Sequence, residues 1–122
     1  MLPAENRMRN SAEFSRAFKG TRGGSSRLLI AIDSDREENR ADLRPVKVGF
    51  IIPRSVGNSV VRHRLYRQLR HIVRIRIDNF GPGDMVVIRV FPQARGATST
   101  QLAADLDRCI ALARDKAGRR GQ

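Results

Sequence analysis

A cluster of arginines in the middle of the chain has the residue type and spacing that bind phosphate. Six arginines lie within the fifteen residues from position 62 to position 76, and no Asp or Glu occurs from Leu43 to Ile77. A planar guanidinium group donates paired hydrogen bonds to phosphate oxygens, whereas like charges this close on one helix repel each other. The cluster therefore predicts an anionic partner. The alternative is a basic face that only ions from solution neutralise.

The rest of the chain shares this positive charge. Its 122 residues contain 24 Lys and Arg against 12 Asp and Glu, which gives a formal net charge of +12. An excess of this size on a small protein points to nucleic acid or another acidic surface as the partner. The length suits a single domain with its own core. We expect residues 1–122 to form one RNA-binding domain, with flexible basic ends at 1–9 and 118–122.

Residues that could carry out bond chemistry are scarce. The two histidines, His63 and His71, are eight residues apart, whereas a metal pair on a helix needs a spacing of about four. Asp33 and Asp35 could in principle hold Mg²⁺ for a nuclease, but their polar segment offers no rigid frame. We therefore predict no catalytic residue and no metal site in the protein. A metal-dependent nuclease that acts alone through these two residues is therefore kept only as an alternative.

The single cysteine and the lengths of the apolar runs indicate where in the cell the protein is found. Cys109 falls on the apolar side of a helical pattern and is interpreted as a small core residue. A lone thiol fits a reducing compartment. The first twenty residues contain charges and no apolar run, and the longest apolar stretches, 28–32 and 85–88, have only the length of strands. We expect a cytoplasmic protein without a signal peptide or a membrane segment.

The arginines are predicted to lie on one long helix. Asn58 is a good N-cap, because its side-chain oxygen accepts hydrogen bonds from N–H groups that the first turn leaves unpaired. A rotation of 100° per residue separates apolar residues from cations. The apolar side comprises Val61, Leu65, Leu69 and Ile72, and the cationic side comprises His63, Arg67, Arg70 and Arg74. The helix is expected to end near Ile77 or Asp78.

A short helix with two aromatic side chains is predicted ahead of the first strand. Asn10 and Glu13 have the pattern of a capping box that opens this helix. Gly20 ends it and begins a Gly- and Ser-rich stretch that is expected to be a flexible loop as far as residue 26. Phe14 and Phe18 share one face of the helix. Two interpretations stay open: both rings anchor the core, or they line a groove for unstacked bases.

Three strands and a final helix complete the predicted fold. The strands are expected at residues 28–33, 46–52 and 85–91, and the helix from residue 98 or 99 to about residue 117. The third strand is apolar except for Arg89 and is therefore expected at the centre of the sheet. The order is α, β, β, α, β, α, and residues 34–47 could contain one extra strand. This pattern predicts an α+β fold, a small α/β sandwich with a β-α-β unit.

The centre of the chain carries a family signature. Residues 49–70 read GFIIPRSVGNSVVRHRLYRQLR, which is a strand, a Val-Gly-Asn turn and an Arg-x-Arg helix start. This pattern resembles the bacterial ribonuclease P protein component. The Phe14-x-x-x-Phe18 pair upstream and the Pro-Gly-Asp sequence before the last strand agree with it, so the resemblance covers nearly the whole chain. It departs from the family at His63, where the family has Asn, and at Tyr66, where the family has Lys.

The resemblance implies a function in tRNA processing. In this family the protein is the accessory subunit of a ribonucleoprotein endoribonuclease, a hydrolase that removes the 5′ leader from precursor tRNA. A large RNA carries out the Mg²⁺-dependent cleavage and binds most of the Mg²⁺, and the protein alone is not expected to be active. No further protein partner is expected to be required. The resemblance also implies a left-handed β-α-β crossover, whereas such connections are normally right-handed.

The resemblance and the charge pattern together assign candidate site residues. Contacts to the ribonuclease P RNA are expected from Arg54, Asn58, Arg62, His63, Arg64, Arg67, Arg70 and Arg74. Contacts to the single-stranded leader, in a cleft between the first helix and the sheet, are expected from Phe14, Phe18, Lys47, Phe50 and Arg89. The main alternative function is a ribosomal or ribosome-assembly protein that binds RNA and has no nuclease role.

Overall fold

Three helices and four strands make up the regular structure in the described part of the chain. The computed structural model describes residues 3–8, 10–34, 45–81 and 83–120, without the side chains of residues 119 and 120. The helices are α1 (Ser11–Phe18), α2 (Ser59–Ile75) and α3 (Ser99–Arg120). The strands are β1 (Thr21–Gly24), β2 (Leu28–Asp33), β3 (Lys47–Ile51) and β4 (Met85–Val90). Within these described ranges, no helix has an apolar run long enough to cross a membrane.

The strands form one sheet in the order β1-β2-β4-β3. β2 is antiparallel to both β1 and β4, and β3 is parallel to β4. Because α2 connects β3 to β4, these three elements are the predicted β-α-β unit. β4 has a paired strand on each side, which confirms that the apolar third strand of the prediction is central.

Side chains of the strands alternate between two layers, one on each face of the sheet. On one face, Leu28 and Ile30 of β2 belong to the main core with the buried residues of α2 and α3. On the other face, Ala31 of β2 and Val87 of β4 form a smaller cluster with Ala17 of α1. Among the described helices, α1 covers one face, and α2 and α3 cover the other. This arrangement confirms the predicted α/β sandwich.

The α2 helix begins at the predicted capping residue. Asn58 Oδ1 accepts a hydrogen bond from the backbone N–H of Val61 at 3.0 Å. The buried residues of the helix are Leu65, Leu69, Ile72 and Val73, which belong to the main core. The helix ends at Ile75, two or three residues before the predicted end, and a 3₁₀ turn over Ile77–Asn79 follows.

We expect Asn58→Ala to lower the free energy of unfolding by about 1 kcal/mol, because the first turn of α2 loses its side-chain acceptor. Asn58→Ser should retain most of that stability, since a serine hydroxyl also accepts from a backbone N–H. Urea unfolding of the three proteins at constant salt measures the difference. Equal stability of wild type and Asn58→Ala would contradict the capping role.

The loop predicted from residue 20 to residue 26 is wrong, because Thr21–Gly24 form the edge strand β1. A Cβ atom at Gly23 would stand 2.1 Å from the carbonyl oxygen of Cys109. Glycine therefore lets α3 approach the backbone of β1 directly, in a position that any side chain would block. The extra strand considered for residues 34–47 falls mostly on residues 35–44, which lie outside the described residues.

Residues 3–8 contact the sheet, which the prediction of a flexible lead-in did not anticipate. Asn6 Nδ2 donates to the carbonyl oxygen of Val46 at 2.7 Å, and the Met8 N–H donates to the carbonyl oxygen of Val48 at 3.2 Å. This segment therefore lies along the edge of β3. At the other end, α3 continues through Arg120, beyond its predicted end, and residues 121 and 122 lie outside the described part.

One arginine of the central cluster joins two helices. Arg76 Nε donates to Asp107 Oδ1 at 2.6 Å and so holds the end of α2 against α3. The hydrogen bond from Arg76 keeps the pKa of the Asp107 carboxyl below its ordinary value. Arg76 was not among the predicted RNA contacts, and its ion pair gives it a structural role instead.

We expect Asp107→Asn to flatten the acid side of the stability curve. Because folding lowers the pKa of Asp107, the ion pair contributes fully above the unfolded pKa of about 4 and is lost as the pH falls through the folded pKa. The side chain of Asp107 is 54% exposed, so the effect lies within the range of about 0–1 kcal/mol for solvent-screened pairs. Urea unfolding at several pH values below neutrality measures it. An identical pH dependence in both proteins would contradict this role.

Candidate nucleic-acid interface

The outer side of α2 carries basic side chains without acidic partners. His63, Arg64, Arg67 and Arg74 are exposed, and Arg62 and Arg70 are half-buried. Within the described part of the chain, none of these six side chains forms an ion pair with Asp or Glu. By contrast, Arg16, Arg27 and Arg76 each pair with an aspartate. The positive charge on α2 is therefore available to an external anion.

The turn before α2 fixes the direction of the helix. Arg95 Nε donates to the carbonyl oxygen of Val56 at 2.7 Å, which ties the turn to the segment after β4. A Cβ atom at Gly57 would stand 2.8 Å from the side chain of Val61. The absence of a side chain at position 57 thus allows the turn to lie directly against the first turn of α2.

All eight residues predicted to contact the RNA lie on α2 or on the turn before it. Arg54 and Asn58 are exposed at the N-terminal end of the helix. Asn58 Oδ1 already accepts from the N–H of Val61, so its amide group offers mainly the Nδ2 donors to a ligand. The structure therefore places the predicted set on one helix and the turn that leads into it.

Aromatic rings border these cations on the β3 side of α2. The rings of Phe50 and Tyr66 meet edge to face with their centroids 5.3 Å apart. The guanidinium carbon of Arg70 lies 4.5 Å from the centre of the Tyr66 ring. Phe50 packs against the main core, on the face opposite α1. Its prediction as a residue of the leader cleft is therefore wrong, because alternation along β3 turns its ring toward α2.

The other face of the sheet has an open row of side chains beside α1. Leu29 of β2, Arg89 of β4 and Ile51 of β3 are neighbours in the strand register. Leu29 and Ile51 are half-buried and Arg89 is exposed. α1 covers the next row, where Ala31 and Val87 are buried. We call the space between this open row and α1 the α1 groove.

Phe14 and Phe18 form the helical wall of the α1 groove. Both rings are half-buried in the cluster around Ala17. A Cβ atom at Gly49 would stand 2.4 Å from the Phe14 ring, so this ring lies directly on the backbone of β3. The guanidinium carbon of Arg22 lies 5.7 Å from the centre of the Phe18 ring. Each ring thus packs on the protein and keeps an accessible part.

Lys47 lies on the same face of the sheet, at the other side of α1. Its Nζ pairs with Glu13 Oε2 at 2.9 Å, and Arg16 Nε donates to Asp33 Oδ2 at 2.7 Å. These two ion pairs attach one side of α1 to the sheet, and Phe14 and Phe18 lie on the other side of the helix. Of the five predicted leader contacts, Phe14, Phe18 and Arg89 border the α1 groove. Lys47 lies on the other side of α1, and Phe50 lies on the opposite face of the sheet.

The acidic segment considered as a metal site is described only in part. Asp33 accepts the hydrogen bond from Arg16, and Asp35 lies outside the described residues. Across the ranges that the structure does describe, no three side chains of His, Cys, Asp or Glu come together in a way that could hold a metal ion. Asp33 therefore serves to anchor α1.

Three residues of these surfaces are absent from the predicted site. Leu29 and Ile51 form the apolar part of the α1 groove, and the ring of Tyr66 makes a cation–π contact with the guanidinium group of Arg70. Alternation along β3 predicts that Ile51 and Phe50 lie on opposite faces of the sheet. The pairing of Leu29 with Arg89 joins residues that are distant in the sequence, so no local pattern predicts it. Tyr66 lies four residues from both Arg62 and Arg70, a spacing that indicates contact on a helix.

Comparison with known proteins tests the resemblance. A family model described as Ribonuclease P matches residues 2–114. The chain is 44% identical over 109 residues to the ribonuclease P protein component of Beutenbergia cavernae, covering 88% of this chain and 87% of that protein. It is 40% identical over 111 residues to the protein of the same name from Mycobacterium avium, covering 90% of this chain and 92% of that protein.

Solved structures with low sequence identity share the fold. The RNase P protein of Staphylococcus aureus has a TM-score of 0.75 at 16% identity, covering 88% of this chain and 94% of that chain. The RNase P protein of Thermotoga maritima has a TM-score of 0.67 at 17% identity, covering 82% of this chain and 90% of that chain. The fold, the central signature and the similarity over most of the chain agree. The chain therefore belongs to the ribonuclease P protein family, whose role is the removal of the 5′ leader from precursor tRNA.

Proposed function

We propose that this chain is the subunit of ribonuclease P that binds the catalytic RNA through α2 and holds the leader of precursor tRNA in the α1 groove. The observation that carries the proposal is the position of two different surfaces on opposite faces of one sheet. The α2 surface offers cations without described acidic partners. The α1 groove offers aromatic and apolar side chains beside the exposed Arg89. A protein with this arrangement can bridge two RNA molecules.

The α2 surface suits a folded RNA with a high density of phosphates. Its guanidinium groups lie along a rigid helix, so several can contact one backbone at the same time. Such contacts release counterions and make binding depend on salt. If about five phosphates are neutralised, the slope of log K against log salt should be about −4.

The α1 groove suits a single strand of RNA. Bases of any type stack on aromatic rings, so Phe14 and Phe18 would hold a leader without reading its sequence. Arg89 is exposed beside the apolar floor and could neutralise a phosphate between two stacked bases. These properties match a 5′ leader, whose sequence differs from one precursor tRNA to the next.

In this proposal the protein positions its substrate and neutralises charge, and the RNA subunit performs the cleavage. Mg²⁺ would be held mainly by the RNA, because the described side chains of the protein include no carboxylate cluster suited to it. When bound there, Mg²⁺ supplies the activated water and the charge stabilisation for hydrolysis. The protein would act in the cytoplasm, where precursor tRNA is made, and it would need no further protein partner.

A cleavage assay with three arms tests this function. Precursor tRNA and Mg²⁺ are incubated at low salt with the protein alone, with a bacterial ribonuclease P RNA alone, and with both together. We expect efficient release of the leader only from the mixture. Cleavage by the protein alone would instead support the metal-dependent nuclease. RNA binding without any stimulation of cleavage would support the ribosomal alternative.

A further inference from the structure

We infer that Phe50 and Tyr66 form a subsite for one unpaired base of the RNA that binds α2. This inference rests on the proposed function, because it specifies how the RNA partner is held at the edge of that helix. The subsite lies on the α2 face of the sheet, so it is separate from the α1 groove and from the leader. It depends on Tyr66, where the related family pattern has a lysine.

The subsite is a shallow pocket between α2 and the end of β3. The residues that line it are Phe50, Ile52, Ser59, Arg62, His63 and Tyr66. Its volume is about 350 Å³, at the lower end of the range of roughly 300–1,000 Å³ for small-molecule sites. Arg70 lies over the Tyr66 ring from the C-terminal side, and the pocket extends from Tyr66 toward the N-terminus of the helix.

Packing holds the aromatic walls in place before any ligand binds. The edge-to-face contact with Phe50 fixes one side of the Tyr66 ring, and the Arg70 guanidinium restrains it from another. Phe50 itself packs against the main core. A ring that is already immobile loses little conformational freedom when a base stacks on it, which favours binding.

The charges around the pocket select an anionic ligand. Arg62 and His63 line it, and no Asp or Glu is among its lining residues. The Nε atoms of Arg62 and Arg70 are covered by protein atoms and have no hydrogen-bond partner within the described structure. These two Nε atoms are closed to a ligand, so only the outer N–H groups of the two guanidinium groups can donate to one. A nucleotide provides a flat ring for the aromatic walls and phosphate oxygens for these donors.

An unpaired nucleotide fits these features better than a base pair does. A base within a duplex is stacked on both sides and offers its ring face to no protein side chain. A base in a loop or bulge can turn out of the stack and lie on an aromatic ring, while its phosphates stay on the backbone path. Lysine at position 66 would supply a positive charge but no ring, whereas tyrosine offers a ring face on which a base can stack.

Tyr66 is the only tyrosine in the sequence, and there is no tryptophan. Protein labelled with 3-fluorotyrosine therefore gives a single ¹⁹F resonance that reports on this pocket. We expect this resonance to shift when bacterial ribonuclease P RNA binds, and to shift much less with polyphosphate, which carries charge but no bases. Equal shifts with RNA and polyphosphate, or no shift at saturating RNA, would overturn the subsite.

Substitutions separate stacking from charge. Tyr66→Leu should lower the affinity for ribonuclease P RNA by roughly 5- to 100-fold, the range for loss of one stacked base, and leave the salt slope unchanged. Tyr66→Phe keeps the ring and should bind as wild type does. Wild-type affinity in Tyr66→Leu, or a loss explained by a shallower salt slope, would overturn the inference. Failure of the wild type itself to bind this RNA would overturn the proposed function instead.

Discussion

Replacing Arg67 and Arg74 together by alanine is expected to weaken binding of ribonuclease P RNA by at least roughly 100-fold, as the loss of two charge-assisted hydrogen bonds implies. Both side chains are exposed, and neither forms an ion pair with an acidic residue in the described part of the chain. The free energy of unfolding should therefore change little. Because each arginine accounts for about one phosphate, the slope of log K against log salt should become shallower by about 2.

A control with the same change in net charge distinguishes contact from general attraction. Arg108 and Arg114 are exposed on α3 and are not part of the α2 surface. Their double replacement by alanine should weaken binding by only about 2- to 3-fold at physiological salt, where charges beyond about 8 Å are screened. Filter binding across a salt series measures both double variants. Equal losses of affinity and of slope would contradict a specific role for α2.

Phe14→Leu should weaken binding of precursor tRNA to the reconstituted enzyme by roughly 5- to 100-fold, as expected for loss of one base stacked on an aromatic ring. Binding of mature tRNA, which has no leader, should not change. Leucine keeps an apolar side chain over Gly49, so most of the packing against β3 should survive. The ratio of the two affinities, measured at equal RNA subunit concentration, isolates the contact with the leader.

The matched control for this variant is Phe80→Leu. Phe80 is 6% exposed and belongs to the main core, away from the α1 groove. Its substitution should lower the free energy of unfolding by about 1 kcal/mol without altering the ratio of precursor to mature affinity. If Phe14→Leu weakened the binding of precursor tRNA and of mature tRNA equally, Phe14 would be a core anchor and the α1 groove would not hold the leader.

The elements that depend on local signals could be predicted from the sequence. Asn58 and the 3.6-residue apolar period define the start and the buried side of α2, because capping and amphipathicity act within a few residues. β1 was missed, because its stability comes from pairing with β2 and from the approach of α3 at Gly23. Neither contact can be predicted from the short stretch Thr21–Gly24 itself, because it has few residues typical of strands.

The candidate site was predictable to a different extent on each face. The cations of α2 share a surface because helix geometry alone puts them there. For the leader contacts, alternation along β3 already separates Lys47 from Phe50, since residues three positions apart face opposite sides of a strand. Which side faces α1 depends on tertiary packing. The ion pair between Lys47 and Glu13 likewise joins two elements that are distant in the sequence.

The central claim is that the two faces of the sheet bind two different RNA molecules, and directed cross-linking can test it. The chain has one cysteine, and burial both shields the Cys109 thiol and raises its pKa, so reagents should leave it unmodified. A photoreactive group can then be attached to His71→Cys on α2 or to Ser11→Cys on the Phe14 side of α1. Both positions are exposed.

The measurement is the identity of the RNA that each probe joins in the assembled complex with precursor tRNA. We expect the probe at position 71 to join the ribonuclease P RNA and the probe at position 11 to join the 5′ leader. Attachment of both probes to the same RNA molecule, or of the position 71 probe to the leader, would contradict the two-face arrangement.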